Sequence, residues 1–154
     1  MWLDTSFKQK MTLSEFDVWV ENLEGDIIPE YVAGYATTKL STPYASMIGA
    51  RLSAMIGFYV IPQKTGYLTG AAGGYVVGNE RFVPDIAYIS RERQPKLGKE
   101  IWNPVPPDLA IEIIAYPEIS HEHTFLRRKI VGYLNANVIV WVVDTDEKTV
   151  DVYQ

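Results

Sequence analysis

Two carboxylates stand inside apolar segments of strand length, where charged side chains are uncommon. Asp85 lies within residues 81–89, and Glu112 lies within residues 107–114. Near-continuous apolar runs of this length predict strands that are buried on both faces. A buried carboxylate is costly unless it is paired or holds a metal. A divalent cation between the two acids would remove both their repulsion and the cost of desolvating them, so the pattern predicts a metal site.

The size and composition of the chain limit the frame that could hold such a site. With 154 residues, of which 47% are apolar, residues 1–154 are expected to form one domain, with residues 1–10 as an irregular N-terminal extension. There is no apolar run of about 18 residues and no apolar signal core, so we expect a cytoplasmic protein without a membrane partner. The absence of cysteine excludes disulfides, thiolate zinc sites and cysteine nucleophiles. The net charge of -5 argues against indiscriminate nucleic-acid binding.

Two helices are predicted in the first half of the chain. A capping box at residues 12–15 and apolar residues at helical spacing predict a short helix over residues 13–23. From Pro43, apolar residues recur with a period of about 3.6, which predicts a second helix that stops before Pro62. Because its pattern is so apolar, we expect this second helix to be largely buried.

Short strands are predicted around these helices. Residues 27–38 contain β-branched and aromatic residues around a turn and predict two strands, with Glu30 at the start of the first. The Gly-Asn step at residues 78–79 predicts a hairpin turn that leads into the Asp85 strand. The charged, proline-bearing residues 91–106 are expected to form a surface loop.

The C-terminal part is predicted to contain a helix over residues 123–135, a buried strand over residues 138–143 and an edge strand over residues 149–153. The two histidines in residues 121–123 could suggest a metal site. Zinc ligands on a helix favour a spacing of four, however, and histidines two apart share a face only on an extended strand. We therefore interpret residues 121–123 as a mobile loop near the site.

The order of these elements resembles the PD-(D/E)XK nuclease superfamily, whose core is a mixed sheet flanked by helices. Over residues 11–154 the sequence more closely resembles the bacterial restriction endonuclease family of the Uma type. Five segments carry this resemblance in order: residues 11–16, residues 30–34, residues 83–90, residues 107–113, and Lys129 with Tyr133 followed by residues 138–144. The resemblance implies an α/β (α+β) fold, with a restriction-endonuclease-like mixed central sheet flanked by helices.

The sequence departs from the superfamily pattern at the lysine. A strict motif places a lysine two residues after the glutamate, where this chain has Ile114. The resemblance implies that the lysine comes from the following helix, which makes Lys129 the candidate. By itself, a basic run on a helix is most often a solvated face. Ala33 replaces an aspartate of the family, but three acids remain. Tyr133 is expected to pack in the core.

The resemblance implies a metal-dependent endonuclease that hydrolyses nucleic-acid phosphodiester bonds, with DNA as the first expectation. Magnesium, for which manganese could substitute, needs few protein carboxylates, so Asp85, Glu112 and the backbone carbonyl of Ile113 would suffice. Glu30 would complete the shell directly or through a water. Lys129 would orient the attacking water or neutralise developing charge. Cutting both strands of a duplex favours a homodimer.

Other interpretations remain open at this stage. Asp85 and Glu112 could pair with arginine or lysine in a structural role, and Glu30 could simply be solvated. The chain could then be a non-catalytic interaction or dimerisation module that retains the nuclease fold. A metal-dependent hydrolase of a small phosphate ester would differ only in the width of its groove.

Overall fold

In a computed structural model of the protein, residues 8–25, 28–115 and 120–154 are described, apart from the side chains of residues 120–122. The elements in chain order are β1 (Lys8–Lys10), α1 (Leu13–Glu21), β2 (Glu30–Val32), β3 (Tyr35–Thr37), α2 (Pro43–Gln63), β4 (Gly66–Thr69), β5 (Gly74–Val77), β6 (Glu80–Phe82), β7 (Ile86–Ser90), β8 (Trp102–Asn103), β9 (Leu109–Ile114), α3 (Ser120–Asn135), β10 (Ile139–Asp144) and β11 (Thr149–Tyr153). The fold is mixed α/β, as predicted, with two mixed sheets in place of one central sheet.

The first sheet has the order β1-β3-β2-β6-β5-β8, and the second has the order β11-β10-β9-β7-β4. Among the described strands, the pairs β5–β8 and β9–β10 are parallel and the other pairs are antiparallel. Residues 81–89 were predicted as one strand, but they contribute β6 to the first sheet and β7 to the second. Pro84 lacks the N–H that a continuous ladder needs, and the chain bends at Asp85. Residues 83–85 therefore form a junction between the sheets.

The second sheet has helices on both faces. Side chains alternate along β9, so that Ala110 packs with Tyr133 of α3, whereas Ile111 and Ile113 pack with apolar residues of α2. Glu112 shares the face of Ala110 because the two residues are two positions apart. The strand β9 therefore turns the carboxylate of Glu112 towards α3 and the first sheet.

The predictions for α2 were wrong about its end and its burial. The helix begins after the N-cap Thr42 and continues past Pro62 to Gln63. Pro62 has no N–H to donate to the carbonyl four residues earlier, and the helix ends one residue later. Large apolar side chains of α2 are exposed, with Phe58 at 87% and Met55 at 71%. Only one side of the helix meets the sheet, and that side cannot cover the whole apolar surface.

By length and composition, α2 is the one helix in the described part of the chain that could cross a membrane. Core helices of water-soluble proteins pass the same test, and 17% of the relevant window of α2 is buried. The expectation that the protein has no membrane partner therefore stays a prediction.

Several short elements also differ from expectation. The segment 1–10, predicted to be irregular, contains the edge strand β1, and the predicted loop 91–106 contains β8. The strand β4 was not predicted. Residues 121–123 belong to α3, so the mobile-loop interpretation was wrong, and the side chains of residues 121 and 122 lie outside the described part. The β5–β6 hairpin and the edge strand β11 are confirmed.

A glycine sets how closely α3 approaches the first sheet. A Cβ atom at Gly132 would lie 2.9 Å from two ring atoms of Phe82. The Phe82 ring in turn meets the ring of Tyr133 edge-on, with their centroids 4.9 Å apart. Because Gly132 has no side chain, α3 can lie directly against this buried pair, and Lys129 is carried inwards on the preceding turn.

Candidate active site

Glu30 begins β2 and is buried, so the solvated interpretation was wrong. Its Oε1 accepts a hydrogen bond from the backbone N–H of Val83 at 2.7 Å. The same oxygen lies 2.6 Å from the Nζ atom of Lys129. Since Val83 belongs to the junction between the sheets, Glu30 links the first sheet, the junction and α3.

Glu112 lies at the centre of the charged groups and has only 2% of its surface exposed. Its Oε1 accepts hydrogen bonds from Lys129 Nζ at 2.6 Å and from the Tyr133 hydroxyl at 3.0 Å. Lys129 and Tyr133 are four residues apart on α3, so one helix face supplies both donors. Tyr133 packs in the core as predicted, and it also fixes one oxygen of Glu112.

Lys129 is buried, with 3% of its surface exposed, although Arg127 and Arg128 beside it are exposed. Two residues of the basic run, Arg127 and Arg128, are therefore solvated, and the third, Lys129, is an internal cation. The ammonium group of Lys129 bridges Glu30 and Glu112.

Asp85 lies just before β7 and turns towards Glu112. Its Oδ2 accepts the backbone N–H of Ile113 at 2.6 Å. The same oxygen lies 2.7 Å from Lys39 Nζ, which also lies 2.5 Å from Glu112 Oε2. The structure thus brings Asp85 and Glu112 together around a single cationic nitrogen, as the metal hypothesis requires of their positions.

Lys39 is the member of this charged site that sequence reasoning missed. It lies in the loop between β3 and α2, and it is 73 positions away from Glu112 in sequence. A single lysine in a polar loop is normally solvated, so spacing and composition carry no signal for it. The only available hint was that several predicted buried acids would need more than one counter-charge. We call Glu30, Lys39, Asp85, Glu112 and Lys129 the acid–lysine cluster.

The formal charges of the cluster nearly cancel, because its three carboxylates face two lysines and leave one negative charge in excess. Burial raises the pKa of Glu112, but Lys129 and Lys39 lower it further, so that its net pKa is below the ordinary value. Burial lowers the pKa of Lys39, but Asp85 and Glu112 raise it well above its usual range. Burial and the negative charge of Glu112 raise the pKa of Tyr133. Glu112 is therefore ionised at neutral pH, and Tyr133 stays a hydrogen-bond donor.

The residues present fit a magnesium ion. Asp85 Oδ2 and Glu112 Oε2 already converge within 2.7 Å of one cationic atom. A strand residue directs its N–H and C=O to the same edge, so the Ile113 carbonyl faces the side on which its N–H meets Asp85. Oxygen ligands of this kind, completed by waters, are those that magnesium prefers. In the described residues no three acidic or histidine side chains form one metal cluster.

Two of the acids, Glu30 and Asp85, line a cavity of about 430 Å³. Glu30, Lys39, Asp85 and Ile113 line one side, and small residues of α2, including Gly49, line another. The volume falls within the range of about 300–1,000 Å³ that is typical of small-molecule sites. Asp85 keeps 16% of its side chain exposed, so a ligand from solvent can reach the cluster. The two-sheet fold and the carboxylates with an internal lysine together define a protein of the restriction-endonuclease-like class.

Comparison with known proteins identifies the family. The chain belongs to the Uma2 family, described as "putative restriction endonuclease", whose model matches residues 13–154. The fold is similar to the crystal structure of "a putative nuclease belonging to DUF820" from Anabaena variabilis, with a TM-score of 0.76 and 25% sequence identity over 94% of this chain and 79% of that one. No curated protein matches the sequence. The family resemblance and the fold class predicted from sequence are both confirmed.

Proposed function

We propose that this protein is a magnesium-dependent endonuclease that hydrolyses phosphodiester bonds, with DNA as its first expected substrate. One observation carries the proposal: Asp85 and Glu112 direct one oxygen each at a single cation position beside an open cavity. The membership in a nuclease family supports the reaction class. Activity, metal dependence and the nature of the nucleic acid belong to this proposal.

In the proposed reaction, the metal would be held by Asp85, Glu112 and the Ile113 carbonyl. When bound, magnesium would lower the pKa of a coordinated water and neutralise charge on the phosphate oxygens. Hydrogen bonds orient these carboxylates even without a metal, because the Ile113 N–H donates to Asp85 and the Tyr133 hydroxyl donates to Glu112. Hydrogen bonds of this kind hold ligands in a productive orientation.

The ammonium group of Lys129 lies 2.6 Å from Glu112 Oε1. It would orient the attacking water or neutralise the charge that develops on the phosphate. Glu30 acts as a positioning residue, since its carboxylate holds the Lys129 ammonium at 2.6 Å and is itself held by the junction. Glu30 would reach the metal through a water.

The direct test is cleavage of plasmid and linear DNA and of RNA with magnesium or manganese. We expect Asp85→Asn and Glu112→Gln each to abolish metal-dependent cleavage, because each removes a charged ligand. Asp151→Asn and Glu147→Gln are matched controls, since both residues are exposed, and they should cleave like the unchanged protein. Circular dichroism would show that the variants fold. Cleavage that survives both site changes would overturn the mechanism.

Two further expectations belong to the proposal. Cleavage of both strands of a duplex by one chain type favours a two-fold symmetric homodimer. Light scattering at working concentration should then give twice the mass of the chain, and a monomeric mass would remove the dimer. A cytoplasmic location, where cellular DNA would be accessible, stays part of the same proposal.

A non-catalytic interaction module is the second candidate. The observation in its favour is that Lys39 and Lys129 already neutralise most of the charge on the acids without any metal. A ligand that binds only the native state raises the melting temperature. A rise with manganese therefore favours the nuclease, and an unchanged melting temperature over a manganese titration favours the interaction module.

A further inference from the structure

The Lys39 ammonium lies where the metal would bind. Its Nζ atom contacts both Asp85 Oδ2 and Glu112 Oε2, and Lys39 and Asp85 both line the cavity. The ammonium group and a divalent ion would need the same oxygens. Because both are cations, they cannot share this small space without strong repulsion.

We propose that Lys39 is an internal competitor of the divalent ion: its ammonium group binds Asp85 and Glu112 in the metal-free protein and must leave before a metal can bind. The inference rests on the proposed metal site and adds a residue that controls how readily that site is filled. Lys39 then sets a threshold, so that only a cation with a high affinity for the two carboxylates is retained.

The structure allows Lys39 to leave and keeps Lys129 in place. Lys39 comes from a loop, and 31% of its side chain is exposed. Lys129 comes from α3, has 4% of its side chain exposed and also bonds to Glu30. Each ammonium group contacts two carboxylates, but the partly exposed one on the loop can exchange them for water, whereas the internal one would be left unpaired inside the protein. The two lysines therefore have different roles despite similar contact distances.

Lys39 also stabilises the metal-free protein. Without Lys39, the carboxylates of Asp85 and Glu112 would face each other with only the Ile113 N–H and α3 donors to offset their charge. Like charges at such separation destabilise the folded state. Lys39 thus preserves the geometry of the site until the metal arrives.

The test compares Lys39→Met with the unchanged protein. Methionine keeps much of the length of the side chain but has no charge. We expect manganese to bind to Lys39→Met about tenfold more tightly or better in calorimetry, because no ammonium must be displaced. In EDTA the variant should melt at a lower temperature, and its melting temperature should rise more with manganese. Lys96→Met, a change of the same charge at an exposed position, should match the unchanged protein.

A second measurement uses the unchanged protein and so does not depend on how a variant folds. Acetylation of lysines by a small reagent, read by peptide mass spectrometry, should increase several-fold at Lys39 when manganese is added. Labelling of Lys129 should stay low, and labelling of the exposed Lys96 should not change. Labelling of Lys39 that is the same with and without bound manganese would overturn the proposal.

The outcomes separate this proposal from the function on which it rests. Equal or weaker manganese binding by Lys39→Met, with binding by the unchanged protein intact, overturns the role of Lys39 alone. If neither protein binds manganese, the metal site itself is wrong and both proposals fall. The charge-retaining Lys39→Arg should bind manganese no more tightly than the unchanged protein, and tight binding by it would also contradict competition.

Discussion

The acid–lysine cluster and the outer side of α2 reverse the usual distribution of side chains. In the cluster, Glu112 and Lys129 are almost completely buried, and each has charged partners. On α2, Phe58 and Met55 are largely exposed although both are apolar. Lys129 is carried by α3 and the exposed apolar residues by α2, and these two helices pack on opposite faces of the second sheet. The difference shows that partners decide burial here: matched charges are accepted inside, and apolar residues without a packing surface stay outside.

This comparison predicts very different sensitivities on the two sides. Removing one member of a buried charge pair leaves its partner unpaired in a medium that solvates it poorly. Removing an exposed apolar side chain takes away few contacts that exist only in the folded state. The following predictions test that contrast in metal-free protein.

The largest effect is expected for Lys129→Met, which leaves Glu30 and Glu112 without their shared ammonium group. We expect a loss of about 3–5 kcal/mol in the free energy of unfolding, measured by urea denaturation in EDTA. Lys96→Met should change the same quantity by less than about 0.5 kcal/mol, because this lysine is exposed. If the two losses were equal, the buried charge pairs would not matter to stability.

Acid should weaken the cluster selectively. The folded pKa of Glu112 lies below its ordinary value of 4.5, so its ionised form stabilises the fold above that pH. This contribution is lost as the pH falls through the lower folded pKa. We therefore measure the free energy of unfolding as the pH is lowered from neutral to below 4.5, the ordinary pKa of glutamate. It should fall more steeply for the unchanged protein than for Glu112→Gln. Identical slopes would show that Glu112 makes no such contribution.

Two glycines allow a matched comparison of the faces. Alanine at Gly132 would place its Cβ 2.9 Å from the Phe82 ring, whereas at Gly49 the Cβ would lie 3.2 Å from the movable Cδ1 of Ile113. Both changes gain the same helix propensity. We expect Gly132→Ala to be less stable than Gly49→Ala by about 1–3 kcal/mol, measured by thermal unfolding, because the buried ring cannot move aside. Equal stabilities would show that the α3 face is as tolerant as the α2 face.

The smallest effect is expected at Phe58. Since 87% of this residue is exposed, Phe58→Ala should change the free energy of unfolding by no more than about 0.5 kcal/mol. On the buried side of the same helix, Val60→Ala should cost about 1 kcal/mol or more. A large loss at Phe58, seen in dilute protein by chemical denaturation, would mean that its ring has a packing partner in solution.

The sequence predicted those parts of the fold that depend on local pattern. The apolar runs identified Glu112 on its strand, and the Gly-Asn step identified the β5–β6 hairpin. The burial of α2 could not be predicted, because an apolar pattern does not show how much surface is available to cover it. The division of residues 81–89 between two sheets was signalled by Pro84, whose missing N–H breaks a ladder.

The sequence predicted the acidic residues of the candidate site but not all of the lysines that neutralise them. Glu30, Asp85, Glu112 and Lys129 meet in one cluster, although the family resemblance was needed to single out Lys129. Lys39 could not be found, since its contacts depend on the path of a loop rather than on any repeat or spacing. Whether the cluster binds metal stays a prediction.

The junction at residues 83–85 sets the distance between the carboxylates of Glu30 and Asp85. One end is tied to Glu30 through the Val83 N–H, and the other carries Asp85, which is tied to Ile113. The span between these anchors is fixed by the number of residues, not by the packing around them. Adding or deleting one residue there would change the distance between Val83 and Asp85, so that Glu30 and Asp85 could not both keep their backbone hydrogen bonds. A change of length that a surface loop would tolerate would here dismantle the site while leaving every side chain of the cluster in the sequence.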